Sequence, residues 1–236
     1  MEKKVEFKSR KETLKGSLFI PQDKGPFPAV VFYHGRGSDR TRYLPMAKFL
    51  ANKGIMTLAF DFGGCGESSG VFESQTHRMG VENGRSALEF LVSHNVDKKR
   101  IGIQGTSFGG YVAGMLLIDY DFIKSVVLRV PASYSDEWLN KTVHASDYKS
   151  FVSKKENWIN SSSYKGIGNF SGSLLVIKSK NDELVPSECV NKYLNDAVKA
   201  KNKKMVIQDA DHAFKNYPEA LNEFYSLTQD WFLMTL

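Results

Sequence analysis

A serine, an acidic pair and a histidine close three apolar runs of this chain, in that order. The stretch "IQGTSFGGY" (103–111) sets Ser107 inside G-x-S-x-G, with a further glycine behind it. "SKNDELVP" (179–186) then offers Asp182 and Glu183, and "DADHAF" (209–214) offers His212. A serine hydroxyl is a poor nucleophile at neutral pH. It needs a neighbouring base to take its proton, and the base needs an acid to hold its tautomer. The chemistry these types can perform together is nucleophilic attack on a carbonyl. The glycines have a steric reason, because a sharp strand-to-helix turn leaves no room for side chains at Gly105, Gly109 or Gly110. A serine at the start of a helix is also a good N-cap, and that second reading of Ser107 stays open on the motif alone.

These residues need elements that deliver them to one edge. "VEFKSRKETLKGSLFIP" alternates on both sides of Arg10-Lys11-Glu12 and predicts an antiparallel hairpin. "FPAVVFYHG", "IMTLAFDFGG", "RIGIQG", "KSVVLRVPA", "SLLVIKSKND" and "KKMVIQDAD" are short apolar runs suited to strands buried on both faces. Between them lie helical patterns: 42–54, ending on Gly54, then Gly80 to His94, Ser107 to Ile118, Ser187 to Ala200 and Tyr217 to Leu236. Such alternation predicts an α/β fold with a mostly parallel, doubly wound sheet. Ligands of such sheets bind beyond the carboxyl ends of the strands, where Ser107, Asp182 and His212 would all arrive. The polar, aromatic stretch 133–169 breaks the pattern and is long for an ordinary loop, so it reads as a lid or cap insertion within one domain, 1–236.

The 236 residues are 42% hydrophobic and 25% charged, with a formal charge of +6, which suits a folded domain rather than a disordered chain. The basic clusters at 98–100 and 199–204 read as solvated faces, with an anion or nucleic-acid patch as the lesser alternative. Cys65 and Cys189 stand apart and form no CxxC pair, so neither a disulfide framework nor a zinc site is expected. "MEKKVEFKSRKETLKG" lacks the apolar stretch of a signal peptide, and no run approaches the ~18 apolar residues of a membrane span. The expectation is a cytoplasmic protein that needs no metal or other cofactor and binds a small molecule rather than nucleic acid; the sequence leaves its oligomeric state open, a homodimer included.

With "YHGRG", "DFGGCGESSG", "GTSFGG", "SKNDELVP" and "DADHAF" in order, the chain resembles serine esterases of the α/β-hydrolase fold. It is similar in particular to the group of dienelactone hydrolases, cinnamoyl (feruloyl) esterases and monoacylglycerol lipases. The resemblance covers nearly the whole chain. It implies Ser107 as nucleophile, His212 as general base and acid, and Asp182 as the acid that orients it, with Glu183 as rival. It implies an oxyanion hole from the backbone N–H groups of Phe108 and Arg36. The implied activity is carboxylic-ester hydrolysis through an acyl-enzyme, on small to medium esters, aromatic ones included. A small serine peptidase or thioesterase is the alternative, and a non-hydrolytic binding protein on the same fold is a third.

The aromatic residues of the insertion, with Tyr134, Trp138 and Trp158 chosen as substrate-binding candidates, read either as an acyl pocket or as glue between lid and body. The Arg36 side chain reads as solvent-facing or as reaching an anionic substrate group. His34 reads as a brace for the oxyanion loop, Asp61 as a structural carboxylate pinning the glycine-rich loop, His77 and His94 as solvated, and His144 as a surface or pocket residue.

Overall fold

The structure, a computed structural model, describes residues 1–142 and 146–236. His144 therefore lies outside the described residues. Eight strands form one sheet: β1 (Glu2–Ser9), β2 (Glu12–Phe19), β3 (Phe27–Tyr33), β4 (Met56–Phe60), β5 (Val96–Thr106), β6 (Ile123–Arg129), β7 (Ser173–Ser179) and β8 (Asn202–Gln208). Their order is β1-β2-β4-β3-β5-β6-β7-β8. β1 and β2 pair antiparallel around the Arg10-Lys11 turn, β2 lies antiparallel to β4, and every later pairing is parallel. The architecture is that of an α/β-hydrolase with an N-terminal antiparallel hairpin.

Period-2 alternation decides which side chain goes to which face of the sheet. In β3, Ala29, Val31 and Tyr33 enter one core while Val30 and Phe32 enter the other; in β7, Leu174 and Val176 oppose Leu175 and Ile177 in the same way. Helices α2 (His77–Val92), α3 (Phe108–Leu116) and α6 (Ser187–Asp196) cover the first face, and α1 (Leu44–Asn52) and α7 (Pro218–Thr235) the second. Both faces are covered, which is why β3, β4 and β7 inside the sheet are apolar almost throughout, while the edge strands β1 and β8 are not. No helix among the described residues is long and apolar enough to cross a membrane.

Helix α2 begins three residues before the predicted start. The Thr76 hydroxyl accepts from the Met79 amide at 3.2 Å and caps it. Helix α6 ends at Asp196 rather than continuing to Ala200. The stretch between β6 and β7 carries α4 (Tyr148–Ser153) and α5 (Ser162–Asn169). Helix α5 lies so close to α3 that a Cβ on Gly166 would stand 1.9 Å from the Gly114 carbonyl oxygen.

Candidate active site

The turn between β5 and α3 has almost no free volume. A Cβ on Gly105 would stand 2.4 Å from the Gly109 oxygen, and one on Gly109 would stand 2.1 Å from the Tyr33 oxygen. Ser107 sits at the apex with φ 53° and ψ −114°, a conformation that side-chain-bearing residues adopt only at a cost of about 1–3 kcal/mol. The backbone is held there on both sides: the Ser107 amide donates to the Arg129 carbonyl at 2.9 Å, and its carbonyl accepts from Gly110 and Ala132. Ser107 makes no capping hydrogen bond to α3, so the N-cap reading does not describe its side chain.

The hydroxyl instead donates to Nε2 of His212 at 3.1 Å, and His212 Nδ1–H donates to Oδ2 of Asp182 at 2.8 Å. The three residues stand 75 and 30 positions apart in the chain and meet because β5, β7 and β8 end at one edge. The other oxygen of Asp182 accepts from the Leu184 and Val185 amides at 2.8 and 2.9 Å. Burial by itself would raise the Asp182 carboxyl. The hydrogen bond and charge of His212, together with those two amides, outweigh it and hold the carboxyl below the usual aspartate range. Glu183 is exposed and pairs with Lys149 at 3.0 Å, away from His212.

Beside Ser107 runs the loop after β3. His34 is buried; its Nε2 accepts from the Phe62 amide at 2.9 Å and its Nδ1–H donates to the Gly35 carbonyl at 2.7 Å. In a trans peptide the Arg36 N–H points opposite to that carbonyl, so His34 sets its direction. The Phe108 amide is the first of α3, a position that has no acceptor within the helix. Asp61 is fully buried and holds the glycine-rich loop: it accepts from the Arg40 amide at 2.8 Å and the Glu67 amide at 3.0 Å, and pairs with the Arg40 side chain.

Ser107 and His212 open into a cavity of about 440 Å³ walled by Arg36, Arg42, Phe72, Tyr148 and Leu184. Of the insertion's aromatic residues only Tyr148 lines it among the described residues. Tyr134 is fully buried, hydrogen-bonded to the Tyr148 hydroxyl and packed 4.0 Å from the His77 ring. Trp138 packs edge-on against Phe151 at 4.5 Å, and Trp158 is buried in the core. These three join the segment to the body, and none of them forms the wall beside Ser107. A larger hollow of about 850 Å³ lies by α5 and α6, and no histidine lines it among the described residues.

His77 is not solvated. The segment after β6 folds back over the start of α2 and buries it completely, with Nδ1–H donating to the Trp138 carbonyl at 2.9 Å. His94 is half-buried and hydrogen-bonds the Phe90 carbonyl at 2.8 Å. Burial pushes His77 down to about 4. An unfolded chain would protonate it near 6.5. Between those values the unfolded state binds the extra proton, so His77 contributes stability at neutral pH that is lost as pH falls from about 6.5 toward 4. The contribution lost between pH 7.5 and pH 5 should be about 2 kcal/mol. Urea unfolding of His77→Asn should show a pH-dependent loss smaller by that amount than the unsubstituted protein; equal losses would show that His77 does not carry the effect.

Arg129 was not singled out by motif. It is completely buried at the end of β6, its guanidinium 3.5 Å over the Phe214 ring. Nη1 donates to the His212 carbonyl at 2.7 Å, and Nη2 donates to the Asp211 carbonyl at 3.0 Å and Ser179 Oγ at 3.1 Å. Burial lowers it to about 10, so it stays protonated at neutral pH and holds the histidine loop against the sheet. The readable signal was a lone charge inside the apolar run "KSVVLRVPA". The thiols of Cys65 and Cys189 are pushed up by burial to about 11 and about 12, which removes them as rival nucleophiles at neutral pH.

Sheet order and the serine-bearing turn define the class: an α/β-hydrolase. Within that class, residues 42–236 match the prolyl oligopeptidase family, and the chain belongs to it. Among curated proteins it is 28% identical over 132 residues to human mitochondrial acyl-coenzyme A thioesterase 2, a match covering 56% of this chain and 26% of that protein. The chain spans less than half the length of such relatives. Among solved structures, Est1E from Butyrivibrio proteoclasticus with ferulic acid bound superposes with a TM-score of 0.76 at 18% identity, covering 98% of both chains. The esterase Pf2001 of Pyrococcus furiosus gives 0.73 at 24% identity, covering 100% of this chain and 93% of that one.

Proposed function

We propose that the chain is a carboxylic-ester hydrolase acting through Ser107, His212 and Asp182. The observation that carries this reading is the unbroken relay from Ser107 Oγ to His212 Nε2 and from His212 Nδ1 to Asp182, at 3.1 and 2.8 Å, opening into a cavity. In the first step Ser107 Oγ bonds to the ester carbonyl carbon and its proton passes to His212 Nε2. The Phe108 and Arg36 amides receive the oxyanion, each worth about 3 kcal/mol in such sites. The C–O bond to the alcohol then breaks, and His212 returns the proton to the departing oxygen. Water repeats the attack on the acyl-enzyme with His212 again as base, releasing the acid and free Ser107. The 133–169 segment serves as the cap of this single domain, with Tyr148 closing the wall. The cavity volume suits small to medium esters.

The likeness to an acyl-coenzyme A thioesterase supports a second reading, thioester hydrolysis by the same groups. A fluorophosphonate probe should label Ser107. An ester, a thioester and an anilide of one acyl group should be cleaved with the ester fastest, the anilide slowest. Preference for the thioester would favour the second reading; preference for the anilide, or labelling elsewhere, would overturn the ester reading.

A further inference from the structure

A pair of phenols reaches the reacting serine from the 133–169 segment. Tyr134 is fully buried and packed against the rings of His77, at 4.0 Å, and Tyr111, edge-on at 4.9 Å. Its hydroxyl bonds to the Tyr148 hydroxyl and to no other group among the described residues. Tyr148, at the start of α4, is buried too but lines the cavity with Ser107, and the two hydroxyls stand close enough to interact. Each of the three hydroxyls has one hydrogen to give. The Ser107 hydrogen goes to His212 Nε2 at 3.1 Å. The Tyr134 hydrogen has only the Tyr148 oxygen to go to, and a buried hydrogen left without a partner costs about 1–3 kcal/mol. The Tyr148 hydrogen is therefore the one left to face Ser107 Oγ. Accepting from Tyr134 polarises Tyr148 and makes it a stronger donor. Burial pushes its phenol up to about 12, so it keeps that hydrogen at neutral pH.

We propose that Tyr148 is a catalytic residue whose O–H donates to Ser107 Oγ and speeds the release of the serine from the acyl-enzyme. This rests on the hydrolase reading above and adds a group to its second half. Only a contact stronger in the transition state than in the state before it raises a rate. In the resting enzyme Oγ is a hydroxyl oxygen, and its contact with Tyr148 is already made when attack begins. In the acyl-enzyme Oγ is the bridging oxygen of an ester, a poor acceptor. Water then bonds to the acyl carbon as its proton passes to His212 Nε2. The bond from that carbon to Oγ breaks, its electron pair stays on Oγ, and His212 returns the proton there. Negative charge grows on Oγ during that departure, and the hydrogen bond from Tyr148 strengthens with it. Tyr148 keeps its own proton throughout.

Single-turnover kinetics with p-nitrophenyl acetate separate the two halves. Release of p-nitrophenol under excess enzyme reports acylation, and loss of the acetyl mass from Ser107 in quenched samples reports deacylation. Tyr148→Phe keeps the ring in the wall. It should slow deacylation about 30-fold, the scale of one hydrogen bond to a charged group, and acylation by less than about threefold. The single variant also leaves the Tyr134 hydroxyl without its partner and should lower the Tm. The double variant Tyr134→Phe, Tyr148→Phe removes both hydroxyls and should recover most of that Tm while deacylating as slowly as the single one. Fluorophosphonate labelling of each variant reports whether fold and nucleophile survive. Equal slowing of both halves by Tyr148→Phe, unchanged deacylation, or deacylation restored in the double variant would overturn the role of Tyr148 while leaving ester hydrolysis standing. A wild type that neither labels at Ser107 nor releases p-nitrophenol would instead remove the hydrolase reading, and this inference with it.

Discussion

Ser107→Ala should lower kcat for a p-nitrophenyl ester by about 10⁴- to 10⁶-fold and abolish fluorophosphonate labelling, while the protein stays folded. The size of the loss follows from the absence of a substitute at the site. Thr106 also lines the cavity, but its hydroxyl accepts from the Gln104 amide at 2.9 Å and belongs to that buried contact. Both thiols are buried and protonated at neutral pH. Alanine inherits the same φ of 53°, so the turn keeps its strain and the stability should change little. Any residual rate would come from the Phe108 and Arg36 amides acting on bound substrate. Retention of more than about one per cent of the rate would move the nucleophile elsewhere, since single triad deletions cost far more than that.

Asp182→Asn should cost about 10⁴-fold in kcat, and Glu183→Gln less than about threefold. The asymmetry comes from how the Asp182 carboxylate is held. Its Oδ1 is occupied by the Leu184 and Val185 amides, so an asparagine at this position would keep its oxygen there and present its NH₂ to His212. His212 would then have to accept at Nδ1 and carry its proton on Nε2, facing Ser107 with a donor where an acceptor is required. Glu183 has only its exposed partner Lys149 to lose. Because the native Asp182 carboxyl is held below the usual aspartate range, it stays ionised through mildly acidic pH; its contribution is present above that range and lost only as pH falls through it. Kinetics of the two variants at neutral pH decide the matter, and the reverse ranking would make Glu183 the orienting acid.

The sheet was legible because apolar runs of six to nine residues separated by helical spacing have few other solutions. Ser107 was legible as a candidate because a glycine-tight turn leaves a pattern in neighbouring residues. The ranking of Asp182 over Glu183 was legible only through resemblance, since adjacent residues look alike until one is seen buried and the other exposed. Arg129 was hidden because two of its hydrogen-bond partners are the backbone carbonyls of Asp211 and His212, more than 80 residues away, and carbonyls carry no sequence signature. His77 was misplaced because helical periodicity reports a face of its own helix, not what another segment later lays over it.

By itself, then, the sequence determined the secondary elements, their alternation and the one edge at which a serine, an acid and a histidine had to emerge, because these follow from local periodicity and steric demands close in the chain. The tertiary structure alone decided which hydroxyl, ring and carboxylate fall within hydrogen-bond distance, and that Tyr134, Trp138 and Trp158 fasten the segment while Arg36, Arg42 and Tyr148 face the cavity. That division has one physical cause: the contacts join positions 30 to 105 residues apart, and their distances are set by how the sheet twists and its loops pack, which no local pattern encodes.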